Sequence, residues 1–270
     1  MKTLLCLIIA AGTVTLHAEK IALVNGTLII PTTEVVLTGA RVLIENDRVL
    51  GFGDNVTLDL PKDARQIDCK GKFILPAYID THIHFFQSGD LFTRPDIVDL
   101  NSIKPYSDEV AWVKSHVNDV FARYLRSGIT SVVDVGGPFW NFEVRKMANS
   151  TAKAPRVAVA GPLISSVSRR QLDLGDPPIV KIDNVEQARD FVRKLAEQKP
   201  DLVKIWYIVD KDHPIDAFRP IVRATVEESH ARKIRVAVHA TNSRRRAPRF
   251  KKVRTFSCTA SSTNRWTTRS

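Results

Sequence analysis

Two histidines separated by one residue end an apolar stretch in the first third of the sequence. The run over residues 73–79 leads into Asp80, His82 and His84, which alternate with two other residues. Side chains of a β-strand alternate between faces, so these three would share one face. Residues two apart on a strand lie about 7 Å apart, close enough for both imidazoles to reach one metal ion. The pattern predicts a metal site at a strand end, and two half-buried histidines with ordinary hydrogen bonds are the alternative.

A lysine and a third histidine occupy comparable positions later in the chain. Lys204 interrupts the apolar run over residues 202–208, and His239 ends the apolar run over residues 235–239. A lysine inside an apolar strand is unfavourable unless its charge is neutralised or paired. Either residue alone is explained by an ion pair or by polar lining. Together with the histidine pair, however, they end the first, fourth and fifth predicted strands of one series, and such ends converge in a barrel.

The first part of the chain contains only short apolar runs. Between residues 20 and 67 these runs are separated by turn signals, including Asn-Gly at residues 25–26 and Asn-Asp at residues 46–47. No helical period is visible there, which is typical of a small antiparallel β unit.

From residue 107 to residue 239 the sequence alternates helix and strand patterns. The first helix is predicted from about residue 107 to residue 128, and Asn184 with Gln187 has the spacing of a helix capping box. Repeated βα units with short apolar strands favour a parallel sheet. We therefore expect an α/β protein, an incomplete (β/α)₈ TIM barrel of about five βα units, preceded by a β-sandwich half.

These patterns divide the sequence into four segments. Residues 1–18 combine Lys2, an apolar run and a small-residue ending, which predicts a signal peptide and an exported, periplasmic or secreted protein. The run is too short to span a membrane, and an apolar N-terminal strand is the alternative. Residues 19–73 form the predicted β domain and residues 74–240 the partial barrel. Residues 241–270 form a basic tail that we expect to be disordered.

The positive charge of the chain belongs to this tail. The net charge is +11, and residues 241–270 hold seven Arg, two Lys and no acidic residue. The other 240 residues carry 31 basic and 29 acidic side chains, a net charge of +2. Composition therefore does not favour nucleic-acid binding by the body of the protein. A tail that binds nucleic acid or another anionic surface is an alternative of a different class.

Four sequence blocks resemble the amidohydrolase superfamily, specifically its imidazolonepropionase-like and prolidase-like branch. The resemblance covers about residues 20–240, and Ala77 stands where the family usually has glycine. The blocks are Leu75-Pro76 with Ile79–His84, Gly128–Asp134, Val203–Ile205 and Val238–Ala240. The resemblance implies a metal-dependent hydrolase of C–N bonds in small amide, cyclic amide or peptide-like substrates. An Xaa-Pro or Xaa-Lys/Arg dipeptidase is the alternative within the superfamily.

The resemblance also implies a role for each candidate residue. His82 and His84 would bind the first of two divalent metal ions, expected to be Zn²⁺, and His239 would bind the second. Lys204 would be carboxylated by CO₂ and bridge both ions, and Asp80 would support the ligands without touching the metal. Carbamate formation requires a deprotonated amine, which burial in an apolar strand favours. Two metal ions would activate a water molecule and polarise the substrate carbonyl.

The C-terminal part departs from the family pattern. The family has a further histidine after strand six and a proton-transferring aspartate after strand eight, but no histidine follows His239 and no aspartate follows Asp216. The codons implied by residues 252–266, read one base out of register, permit apolar residues around a His or Tyr. We interpret the tail as frame-shifted or truncated, so the chain is expected to be inactive or a metal-binding remnant without catalysis. No feature of the sequence indicates an oligomeric state.

Overall fold

The computed structural model divides the chain between Pro76 and Ala77 into two units, which are described separately. The predicted signal peptide, residues 1–18, lies outside the described residues. The structure describes residues 19–89, 92, 96–208 and 215–239, and the backbone of residues 255–258. None of the helices in these ranges has the length and apolar character needed to cross a membrane.

The first unit is built on one mixed sheet. Its strands are β1 (Lys20–Ile30), β2 (Val35–Glu45), β3 (Arg48–Gly53), β4 (Arg65–Asp68) and β5 (Phe73–Ile74). The strand order is β3-β2-β1-β4, with β5 also beside β1. β2 is antiparallel to β1 and β3, as predicted, but β4 and β5 run parallel to β1. The described strands of this unit form a single sheet, so the β-sandwich half stays a prediction.

The two predicted turns have different outcomes. Asn46 and Asp47 have φ values of 48° and 65° and join β2 to β3, as a two-residue hairpin requires. Asn25 also has a positive φ, 63°, but it lies inside β1, where the register with β2 shifts at Gly26. A Cβ atom at Gly26 would lie 2.7 Å from Cδ1 of Ile74, so the space permits only glycine. The first Asn-Gly pair therefore forms a bulge, and the predicted turn is wrong.

The second unit alternates parallel strands with helices. Its strands are β6 (Tyr78–Ile83), β7 (Ile129–Asp134), β8 (Arg156–Val159), β9 (Leu163–Ser165), β10 (Ile179–Lys181), β11 (Leu202–Trp206), β12 (Arg235–His239) and β13 (Thr255–Cys258). Its helices are α1 (Tyr106–Ser115), α2 (Val117–Arg126), α3 (Asn141–Asn149), α4 (Val185–Glu197) and α5 (Ile215–Ala231). The strands form two parallel sheets, β6-β7-β8 and β10-β9-β11-β12-β13. The α/β class is as predicted, and the described strands do not close a barrel.

Gly161 lies where the chain passes from one sheet to the other. β8 pairs with β7, whereas β9 pairs with β11. Gly161 has a φ of 75°, and a Cβ atom there would lie 2.8 Å from side-chain atoms of Leu195 and Phe142. Only glycine combines this φ with this close approach. The sequence predicted one strand over residues 156–161 but missed β9 and β10, because three residues are too short to show a period.

The long first helix predicted from the sequence is in fact two helices. His116 lies between α1 and α2 with φ −113° and ψ 17°. Its ring stacks on Trp112 with centroids 4.3 Å apart, and its Nδ1 atom lies 2.8 Å from the Trp112 carbonyl oxygen. The predicted apolar face is still buried at Val113, Val117 and Phe121. One ordered kink therefore separates the helices without changing which face meets the core.

The main core of the second unit lies between its sheets and helices. α4 begins as predicted, with Oδ1 of Asn184 accepting the backbone N–H of Gln187 at 2.9 Å. The helix then buries Ala188, Val192 and Leu195 completely. These positions are three or four residues apart, so they form one stripe that belongs to the main hydrophobic core.

In the described part of the basic tail, residues Thr255–Cys258 form strand β13. β13 pairs in parallel with β12, and Cys258 lies opposite His239. The prediction that residues 241–270 are disordered stays a prediction. A strand edge presents unpaired backbone groups, and an adjacent extended segment can pair with it whatever its side chains. The other residues of the tail lie outside the described part of the chain.

We expect Asn184→Ala to lower the free energy of unfolding by about 1 kcal/mol, because it removes the side-chain acceptor at the start of α4. Urea denaturation followed by circular dichroism measures this change. Gln198→Ala, at the other end of the same helix, is the control, since the Gln198 side chain is exposed. Equal effects of the two substitutions would contradict the capping role.

Candidate metal centre

The predicted metal-binding side chains come from three strands of the second unit, with His82 and His239 near strand ends and Lys204 in the middle of its strand. His82 lies in β6 and His84 directly follows it, Lys204 lies in β11, and His239 ends β12. β11 and β12 are parallel, with Lys204 opposite Ala237 and Trp206 opposite His239. Because parallel strands end at the same edge of a sheet, the side chains of β11 and β12 reach the same end of the second unit.

The four candidate residues lie close enough to influence one another. The rings of His82 and His84 have centroids 5.4 Å apart and an interplanar angle of 76°. The pKa of each imidazole is lowered to about 4, mainly by burial and to a smaller extent by the nearby groups of Lys204 and His239. Both rings are therefore neutral at pH 7 and can offer a lone pair to a metal ion.

A backbone carbonyl fixes the orientation of the His84 ring. Nδ1 of His84 lies 2.7 Å from the carbonyl oxygen of Gly136, in the turn that follows β7. A carbonyl can only accept, so the hydrogen is on Nδ1 and the lone pair is on Nε2. Metal-binding histidines commonly donate their other N–H in this way, which fixes the tautomer.

Lys204 is buried deep in the second unit. Its side chain is 1% exposed, between Val203 and Ile205, which are both completely buried. Its Nζ atom is also buried. Desolvation in such surroundings penalises the charged form of an amine. The neutral amine is the form that can react with CO₂.

Asp80 contacts the histidine pair through the main chain. Its Oδ1 atom accepts the backbone N–H of His82 at 3.1 Å. The carboxylate therefore restrains the backbone on which the His82 ring is mounted. Its predicted supporting role remains a prediction.

The donor set fits a metal only when Lys204 takes part. Within the described ranges, no three His, Cys, Asp or Glu side chains are grouped closely enough to hold a metal ion. An ammonium group has no lone pair, so an unmodified, protonated lysine adds no ligand. A carbamate at Lys204 would add oxygen donors beside neutral imidazoles, which is a donor set suited to zinc.

A groove gives solvent access to one side of this region. It runs along β6 and is lined by Tyr78, Ile79, Asp80, Thr81, His82, Ser127 and Ile129. Tyr78 and Ile79 are 62% and 63% exposed. Among the described strands, β6 pairs with β7 alone, which leaves its other edge uncovered.

Sequence reasoning assigned no role to Asp134. This residue is hydrogen-bonded to the backbone of Phe85, which directly follows His84. Its carboxylate is completely buried and accepts hydrogen bonds from the side chain of Asn141 and the backbone of Gly136. Burial raises the pKa of this carboxyl to about 7. The sequence did contain a signal for this residue, because Asp134 is an acidic residue at the end of an apolar strand, just as Lys204 is a basic residue within one.

Comparison with known proteins identifies one family and several structures with a similar fold. The sequence pattern of the Amidohydrolase family matches residues 73–251. A dihydroorotase of Wolbachia sp. subsp. Drosophila simulans (strain wRi) is 37% identical over 70 residues, which are 26% of this chain and 15% of that protein.

Solved structures show the same fold at low sequence identity. A prolidase complexed with N-methylphosphonate-L-proline has a TM-score of 0.62 and 23% identity, over 84% of this chain and 57% of the prolidase. Phenylurea hydrolase B has a TM-score of 0.64 and 20% identity, over 83% of this chain and 56% of the hydrolase. The chain thus spans little more than half the length of these structures.

The family pattern begins just before the histidine pair and extends past His239, so it includes every candidate ligand. It covers well over half of the sequence, and it confirms the membership predicted from the four sequence blocks. The chain belongs to the amidohydrolase family.

Proposed function

We propose that this chain is a metal-dependent hydrolase of C–N bonds that binds two divalent metal ions, with Zn²⁺ as the expected metal. The ligands would be His82, His84, carboxylated Lys204 and His239. The observation that carries this proposal is the position of Lys204. It is buried at 1% exposure, and it lies close enough to both members of the histidine pair to affect their pKa values.

Each of these residues would contribute in a definite way. His84 would bind through Nε2, since its Nδ1–H is donated to Gly136. The neutral amine of Lys204 would attack the carbon of CO₂, form an N–C bond and release one proton. The resulting carbamate would carry a negative charge, and so it would attract cations beside the imidazoles. Bound divalent ions would lower the pKa of a water molecule and polarise the substrate carbonyl.

The substrate is proposed to be a small amide, cyclic amide or peptide-like molecule. The structural relatives include a prolidase and an Xaa-Pro dipeptidase, which support Xaa-Pro dipeptides as the more specific candidate.

We also propose that the chain is exported and that residues 1–18 are removed. Lys2 followed by an apolar run and the sequence Leu16-His17-Ala18 supports this. Amino-terminal sequencing of the exported product is expected to begin at Glu19. A product that retains Met1 and stays in the cytoplasm would refute this proposal.

Lys204→Met should lower bound zinc from about two ions per chain to one or fewer, because the bridging carbamate cannot form. Elemental analysis after dialysis against zinc and bicarbonate measures the stoichiometry. In the unsubstituted protein, loading of the second ion should also require bicarbonate. Lys153→Met is the matched control at an exposed lysine. Two ions per chain in a folded Lys204→Met variant would rule out the carbamate.

Protonation of His84 should make stability depend on pH in the metal-free protein. Burial lowers the His84 pKa from 6.5 to about 4. Between these pH values the unfolded chain binds a proton at His84 that the folded chain does not bind. The unfolding free energy should therefore fall, relative to His84→Gln, as the pH is lowered through this window. Urea denaturation in the presence of a chelator measures the difference, and His230→Gln is the control. A difference that stays constant with pH would contradict the lowered pKa.

A further inference from the structure

The carbonyl that holds the His84 ring belongs to a tight turn after β7. Gly136 has a φ of 149°, and a Cβ atom there would lie 2.6 Å from Cγ of Leu163. At Gly137 a Cβ atom would collide with the side-chain amide of Asn141. Backbone bonds also hold the turn, because the Gly137 N–H donates to the Gly161 carbonyl at 3.1 Å. The position of the Gly136 carbonyl is thus set by close packing on both sides of the peptide.

Three donors converge on the Asp134 carboxylate beneath this turn. The Gly136 N–H donates to Oδ1 at 3.3 Å, and the Asn141 side-chain amide donates to Oδ2. The backbone N–H of Phe85 makes the third hydrogen bond. Phe85 directly follows His84, so the same carboxylate holds both the chain that carries the ring and the turn that binds it.

A backbone hydrogen bond supports the same link between β6 and β7. The Val135 N–H donates to the Ile83 carbonyl at 3.1 Å. The residues before and after His84 are therefore both tied to the segment that contains Asp134. This leaves the imidazole little freedom to turn away from the Gly136 carbonyl.

We propose that Asp134 is a positioning residue that holds His84 in the Nδ1–H tautomer, with Nε2 directed to the metal centre. It acts through the Gly136 turn and the Phe85 amide. The value of this arrangement for catalysis rests on the function proposed above, but the tautomer itself is a property of the metal-free protein. The two proposals can therefore fail separately.

The test is the tautomeric state of His84 in metal-free protein. Long-range ¹H–¹⁵N spectra of ¹⁵N-histidine-labelled protein, recorded with a chelator, distinguish the two neutral tautomers. His84→Gln assigns the signal among the seven histidines. The unsubstituted protein should show the Nδ1–H form, and an Nε2–H form would overturn the proposal.

Asp134→Asn replaces an acceptor oxygen by a donor where three N–H groups converge, so at least one hydrogen bond must be lost. The His84 signal should shift towards the Nε2–H form, and zinc affinity should fall about 10- to 100-fold. Asp176→Asn is the matched control. Asp176 accepts the N–H groups of Phe139 and Trp140 at 2.9 Å each, near the start of α3. That control should destabilise the fold without changing the His84 tautomer.

The exchange variant Asp134→Asn/Asn141→Asp keeps the test decisive if the single variant does not fold. It restores one carboxylate and one amide in reversed positions, so the two side chains can still hydrogen-bond. It should recover both the fold and the Nδ1–H signal of His84. The positioning role would be overturned if folded Asp134→Asn kept the Nδ1–H form of His84. It would also be overturned if the folded exchange variant showed the Nε2–H form. Loss of zinc binding while the His84 tautomer stays unchanged would count against the positioning role of Asp134. It would not contradict the proposed set of metal ligands.

Discussion

The parallel alignment of strands is the constraint on which the candidate site depends. β11 and β12 pair so that Lys204 lies opposite Ala237 and Trp206 lies opposite His239. A slip of one residue would turn every side chain of a strand to its opposite face. Lys204 would then leave the interior, and its charge would no longer act on the histidine pair. The ladder of backbone hydrogen bonds thus decides whether the site exists at all.

This alignment concentrates groups whose burial is unfavourable for folding. A lysine amine in β11, a carboxylate at Asp134 in β7 and a histidine pair at the end of β6 are all contained in the second unit. Their desolvation lowers the imidazole pKa values and raises that of the carboxyl. Perturbed groups of this kind cluster at functional sites, because the stability they cost is compensated by the rest of the core. Here the burial of apolar side chains, such as those on the buried face of α4, compensates for this loss of stability.

The second unit couples its strands through tight turns as well as through the ladder. Gly136 and Gly161 each combine a positive φ with a close approach to the core that only glycine allows. The Gly137 amide and the Gly161 carbonyl are hydrogen-bonded, so the turns after β7 and β8 support each other. Rigid turns at the strand ends are what a precisely oriented imidazole requires, because small displacements weaken metal binding. By contrast, the uncovered edge of β6 leaves apolar residues such as Tyr78 and Ile79 exposed.

The sequence alone determined the class of the fold, the family and the residues that make up the candidate site. Period-two alternation placed His82 on a strand and His84 at its end, and a lysine in an apolar run marked Lys204. These are local signals, because they depend on residues a few positions apart. The capping of α4 by Asn184 was predictable for the same reason.

Only the tertiary structure decided how these residues are oriented. The Gly136 carbonyl that receives the His84 N–H is 52 residues away in the sequence. The pairing of β13 with β12, the bulge at Asn25 and the break at His116 also depend on neighbours or ring contacts that local patterns do not encode. Hydrogen bonds between distant segments form only when packing brings them together, and no spacing along the chain reports that event.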